Sequence, residues 1–84
     1  MPTLQEGSEG DVVRSLQEVL AGEWAPGLHV DGQFGPGTRA AVETFQRDSD
    51  VPVDGVVAEQ TWDASTGGMM HTLETSVGLQ YVID

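Results

Sequence analysis

Asp31 and Asp54 are the first residues to weigh for chemistry, because two carboxylates are the raw material of general acid–base catalysis. Their surroundings point elsewhere. Asp31-Gly32-Gln33-Phe34-Gly35-Pro36-Gly37-Thr38 is matched by Asp54-Gly55-Val56-Val57-Ala58-Glu59-Gln60-Thr61. In both, Asp-Gly leads, an apolar and then a small residue follow, and Thr closes the phrase. Each copy is preceded by an apolar-Gln pair, Leu16-Gln17 and Phe45-Gln46. An internal repeat of this kind means one supersecondary unit used twice. Equivalent positions in a repeat favour a structural role, in which each Asp bonds to its own turn and Gly32 and Gly55 supply the positive φ that such turns need.

Other chemistries fail on residue type or spacing. A calcium loop counted from Asp50 places Asp54 and Gly55 well, but Pro52 and Thr61 stand where ligands are required. His29 and His71 are the only histidines and there is no cysteine, so no zinc site is expected. A Ser-His-Asp set can be picked from any acidic chain and carries no weight. A phosphate loop needs a lysine, and the chain has none. No cofactor, metal or catalytic residue is expected.

Side chains able to recognise a ligand are fewer. Phe34, Phe45 and Trp62 fall on apolar faces and are expected in the core. Trp24 stands in a connector beside Ala25-Pro26-Gly27. It either stacks on a ligand or covers the core from a loop. Arg39 offers a bidentate contact to a carboxylate or, more ordinarily, an ion pair with a neighbouring acid. Gln46 is expected at least partly exposed on the same helix.

The elements that must hold these residues are mainly helical. Ser8 is a candidate N-cap, Glu9 and Asp11 suit a first turn, and Val12, Val13, Leu16, Val19 and Leu20 share one face. A first helix is expected over about residues 9–21, with Gly22 as its stop. Pro36 opens a second helix over about 36–48, carrying Ala40, Ala41, Val42 and Phe45. A short third helix over about 58–65 turns Trp62 inward. Val12, Leu16, Leu20, Val42, Phe45, Val57 and Trp62 form the expected core.

After Gly67-Gly68 the pattern changes. Leu73, Val77, Leu79, Tyr81 and Ile83 alternate with polar or small residues, the period of a half-buried strand or hairpin. Met69, Met70, Leu73 and Val77 also fit helical spacing. The expected division is a domain over 1–65 and an extension over 66–84.

Composition narrows the partners. Fourteen acids face three arginines, Arg14, Arg39 and Arg47, for a net charge of -11. Nucleic acid and anionic membrane need a cationic face and are not expected as partners. No run is long or apolar enough for a membrane span, and residues 1–6 do not read as a signal peptide.

The ordered motifs resemble a known family. Leu4, Gly7, Gly10, Val12, Leu16-Gln17 and Leu20 come first. Val30-Asp31-Gly32, Phe34-Gly35, Thr38, Ala41-Val42 and Phe45-Gln46 follow, and then Val53-Asp54-Gly55, Val57 and Thr61-Trp62. Over about residues 4–65 this set resembles the peptidoglycan-binding domain of bacterial cell-wall hydrolases. Ala58, where the first copy has Gly35, and Ser65, where the family prefers Leu, depart from the pattern. The resemblance implies a mainly α, compact three-helix fold with two Asp-Gly loop-helix repeats. It implies binding to peptidoglycan, at the cell wall or outside the cell, without catalysis.

On that footing a muropeptide or glycan is expected in a shallow groove between the first loop and the second helix. Trp24, His29, Gln33, Arg39 and Gln46 are the candidate contacts. Asp31, Gly32, Asp54 and Gly55 hold the turns. The alternative is a protein–protein adaptor on the same fold. The β-like tail bears on that choice. A lone strand is marginal in water, so residues 73–83 are expected either to pair with a second copy or another protein, or to stay flexible, or to fold back over the helices.

Overall fold

The described residues form four helices: α1 (Asp11–Glu23), α2 (Pro36–Asp48), the short α3 (Glu59–Trp62) and α4 (Leu73–Ile83). The computed structural model describes residues 1–66 and 70–83, the side chains of 81–83 excepted. The expected change of character at Gly67-Gly68 and the place of Met69 lie outside the described residues. α1 packs against both α2 and α4, and α3 packs on α4.

The core joins Leu16, Leu20, Val42, Phe45, Val57 and Trp62, as their spacing requires, with Leu4, Val13, Phe34, Ala41, Leu73 and Val77. Val12 is only partly buried and Val13 takes the inward position. Trp62 also donates its indole N–H to the Pro2 carbonyl at 2.8 Å, which satisfies the polar end of a buried aromatic.

Helix ends differ from expectation in instructive ways. Gly10, not Ser8, precedes α1, and no side chain caps it. The Ser8 hydroxyl instead accepts the Gln5 N–H at 3.1 Å. Gly22 lies inside α1 rather than ending it. Glycine in a helix costs only about 1 kcal/mol, and α1 runs on until the Trp24 N–H closes on Leu20 O at 2.9 Å. α2 begins at Pro36 and ends at Asp48. Its last turn closes through Val51 N–H to Gln46 O at 3.1 Å, with Asp50 left-handed at φ 58°. That is the geometry of a Schellman stop.

No sheet forms among the described residues. Two isolated antiparallel bridges, Leu4 with Val57 and Glu9 with Gln33, tie the N-terminal segment to the two Asp-Gly loops. Leu4 and Val57 exchange backbone hydrogen bonds at 3.0 and 2.8 Å. Gly7 N–H reaches Phe34 O, and Phe34 N–H reaches Ser8 O, both at 2.9 Å.

The strand or hairpin expected over 73–83 is corrected to a helix. Thr72 caps it: its hydroxyl accepts the Thr75 N–H at 3.2 Å, and Glu74 stands in the first turn, both helix-start signals. Leu73 and Val77, one helical turn apart, are fully buried, whereas Leu79 is exposed. Gln80 hydrogen-bonds Glu18 of α1. Tertiary packing on α1 therefore overrides the period-two pattern. Of the alternatives for this segment, it folds back over the other helices, and residues 73–83 present no open strand edge for pairing with another chain.

Candidate functional site

Two brackets of hydrogen bonds build the Asp-Gly loops. Gln17 points from α1 into the first loop and is fully buried. Its Oε1 accepts the N–H groups of Asp31 at 3.0 Å and Gly32 at 2.8 Å. Its Nε2 donates to Asp31 Oδ1 at 3.1 Å, Gln33 O at 2.9 Å and Thr38 Oγ1 at 2.9 Å. Asp31 Oδ1 also accepts the Gln33 N–H at 3.0 Å. Two amide hydrogens meeting three acceptors means that one is shared.

Gln46 repeats the arrangement from α2. Its Oε1 accepts Asp54 N–H at 3.1 Å and Gly55 N–H at 3.0 Å. Its Nε2 donates to Asp54 Oδ1 at 2.9 Å, Val56 O at 3.0 Å and Thr61 Oγ1 at 3.0 Å. Asp54 Oδ1 accepts the Val56 N–H at 2.9 Å. Gly32 and Gly55 have φ of 78° and 74°, which a residue with a Cβ adopts only under strain. The expected exposure of Gln46 is thus corrected: it is buried and its amide is committed to its loop. Sequence periodicity missed this because a polar residue on a helix reads as a surface residue. The signal was the matching Gln before each Asp-Gly phrase.

Both aspartates titrate below the ordinary carboxylate range. The backbone N–H of Gln33 does most for Asp31, followed by the Gln17 amide, with a smaller contribution from His29. The N–H of Val56, then Gln46, acts on Asp54, with Arg39 contributing last. Hydrogen bonds to the charged form lower a carboxyl pKa.

Two shallow clefts flank the first loop. One, of about 330 Å³, is lined by Gly27, Leu28 and His29 of the connector, Asp31, Gln33 and Gly35 of the loop, and Gly37 and Thr38 of α2. The other, of about 460 Å³, lies between that loop and the start of α1, lined by Glu9, Gly10, Asp11, Arg14, Asp31, Gly32 and Gln33. Asp31 and Gln33 form the divide between them. His29 and Gln33, both sequence candidates, are brought together in the first cleft.

The remaining candidates lie elsewhere. Trp24 is half-buried, with its ring edge-on to Phe45 at a centroid distance of 5.0 Å and 81° between planes. It covers the core from the connector and lines neither cleft. Arg39 lies across the second loop. It pairs with Glu6 at 3.0 Å and Glu43 at 3.4 Å. A Cβ at Gly55 would fall 2.8 Å from its Cγ. Among the described residues no group of three or more His, Asp or Glu could hold a metal ion, and no helix is long and apolar enough to cross a membrane. The clefts offer hydrogen-bonding groups, an imidazole and a small apolar wall.

Comparison with known proteins gives a consistent set of likenesses. The family described as "Putative peptidoglycan binding domain" matches residues 9–64. A zinc D-Ala-D-Ala carboxypeptidase of Streptomyces albus G is 46% identical over 63 residues, covering 73% of this chain and 25% of that protein. An uncharacterized protein in the bpoA1 3' region of Kitasatospora aureofaciens is 44% identical over 62 residues, covering 73% of this chain and 52% of that one. The chain thus spans a quarter of one curated relative and about half of the other. The crystal structure of the SleB N-terminal domain aligns with a TM-score of 0.66 at 27% identity, over 95% of this chain and 93% of that one.

Proposed function

Since the chain belongs to the peptidoglycan-binding domain family, we propose that it is a non-catalytic module that holds a muropeptide or glycan of the bacterial cell wall at the first Asp-Gly loop. The observation that supports this reading is the convergence of His29 and Gln33 in one cleft beside the start of α2. The second loop has the same internal hydrogen bonds but its turn is covered by Arg39.

The chemistry of the cleft fits recognition better than reaction. Imidazole and amide groups suit the hydroxyls and amides of an uncharged glycopeptide, and the Leu28 side chain offers an apolar wall. A net charge of -11 disfavours polyanionic wall components. Affinity then comes from a few hydrogen bonds in an open cleft, which predicts weak binding with little dependence on salt. The likeness to part of a zinc D-Ala-D-Ala carboxypeptidase is consistent with a role in placing wall material before an enzyme of wall chemistry.

The test is cosedimentation with purified insoluble peptidoglycan. The wild-type chain should pellet at low and high salt. His29→Ala and Gln33→Ala should each reduce the pelleted fraction while leaving helical circular dichroism unchanged. Arg47→Ala, at the exposed end of α2, should pellet as wild type. A wild-type chain that stays in the supernatant at both salt concentrations overturns the proposal.

A further inference from the structure

We propose that Asp31 is a ligand-binding residue as well as a turn residue: its Oδ2 accepts a hydrogen bond from an amide N–H or hydroxyl of the bound ligand, a role that Asp54 does not share. This rests on the peptidoglycan-binding reading above and assigns a specific contact within it.

The two oxygens of each aspartate are not equivalent. Oδ1 of Asp31 accepts from Gln17 and Gln33, and Oδ1 of Asp54 accepts from Gln46 and Val56. Among the described residues neither Oδ2 takes part in a hydrogen bond or ion pair. Fixing Oδ1 fixes the plane of the carboxylate, so Oδ2 is an anionic acceptor held in place before any ligand arrives. Such preorganisation lowers the ordering cost of binding.

Asp31 borders the two clefts beside the first loop, and Asp54 borders neither of them. Gln33 stands beside Asp31 on the same divide. At Gly32 the nearest atoms to an added Cβ would be Gly10 O at 3.4 Å and Arg14 Cβ at 3.9 Å, so no side chain presses on this turn as Arg39 does on Gly55. At Gly55 the Arg39 side chain lies over the turn, held by Glu6 and Glu43. Its charge also acts on Asp54. Both aspartates are exposed, but the duplicated turn is open at Gly32 and covered by Arg39 at Gly55. An anionic acceptor rejects carboxylates and phosphates and selects hydroxyl or amide donors, and a hydrogen bond to a charged acceptor is stronger than a neutral one.

The equivalence of the brackets supplies its own control. In Asp31→Asn and Asp54→Asn the amide oxygen can keep the Oδ1 bonds, while an NH2 group replaces Oδ2 and turns an acceptor into a donor. Both variants should lose similar thermal stability. Titrated with a soluble disaccharide-peptide, D31N should bind about tenfold or more weakly than wild type, and D54N should bind within about twofold of it. N-acetylglucosamine oligomers in a parallel titration separate a glycan donor from a peptide donor, because only a glycan donor reproduces the D31N loss. In the wild-type protein, which avoids any folding defect, the carboxyl carbon resonance of Asp31 should move on titration and that of Asp54 should not. Equal loss in D31N and D54N, or a D31N that binds as wild type, overturns the assignment. So does an unmoved Asp31 resonance in a wild-type protein that binds. A wild type that binds neither peptidoglycan nor its fragments overturns the underlying function instead.

Discussion

Gln17 and Gln46 make the same set of five hydrogen bonds, one set to each Asp-Gly loop. Each amide comes from a helix, enters a loop later in the chain and satisfies two backbone N–H groups at its turn. The loop geometry therefore depends on a tertiary contact, and the cleft beside the first loop inherits its shape from Gln17.

Replacing either amide with an apolar side chain should be costly. Gln46→Leu leaves the Gly55 N–H, in a buried turn, without an acceptor and strips Asp54 Oδ1 of one donor. A buried unsatisfied group costs about 1–3 kcal/mol, and two or more are orphaned together. Urea denaturation of Q46L and Q17L should show losses of about 2–4 kcal/mol each. A loss below about 0.5 kcal/mol in both would show that the brackets are incidental to stability.

Acid should weaken the fold through the same loops. Asp31 and Asp54 have folded pKa values below their usual value of 3.8. A depressed carboxyl stabilises the native state fully above its unfolded pKa, and the contribution is lost as pH falls through the folded value. Thermal midpoints should therefore be flat from neutrality down to about pH 5 and should fall below about pH 4. In the double variant Asp31→Asn, Asp54→Asn that fall should be shallower. An identical acid profile in wild type and double variant would place the sensitivity in other carboxylates.

The C-terminal helix should be part of the cooperative unit. Leu73 and Val77 are fully buried in the core. Leu73→Ala should cost about 2–5 kcal/mol, and Leu79→Ala, at an exposed position of the same helix, less than about 0.5 kcal/mol. Comparable effects at both positions, read by chemical denaturation, would contradict the packing of α4 on α1.

Much of this was legible in the residues. α2 was opened by Pro36 and marked by the apolar face of Ala41, Val42 and Phe45, because proline at a first turn and 3.6-residue periodicity are local signals. The repeat exposed the two loops, and the repeat together with its spacing identified the family. The core positions Leu16, Leu20, Phe45 and Trp62 followed from periodicity alone. Each of these features can be read along the chain without knowing which distant groups meet.

What the tertiary structure decided is which groups meet. Residues 73–83 carry two periods at once, and packing against α1 and α3 selects the helix that buries Leu73 and Val77. Gln46 reads as an exposed helix residue until the second loop folds over it. Trp24 had two open fates until Phe45 came edge-on to its ring. Above all, two loops alike in sequence and in hydrogen bonding differ in access at the turn, because Arg39 reaches one of them and not the other. Local sequence sets the conformation of each loop; the distant side chain laid across it determines whether its turn is open or covered.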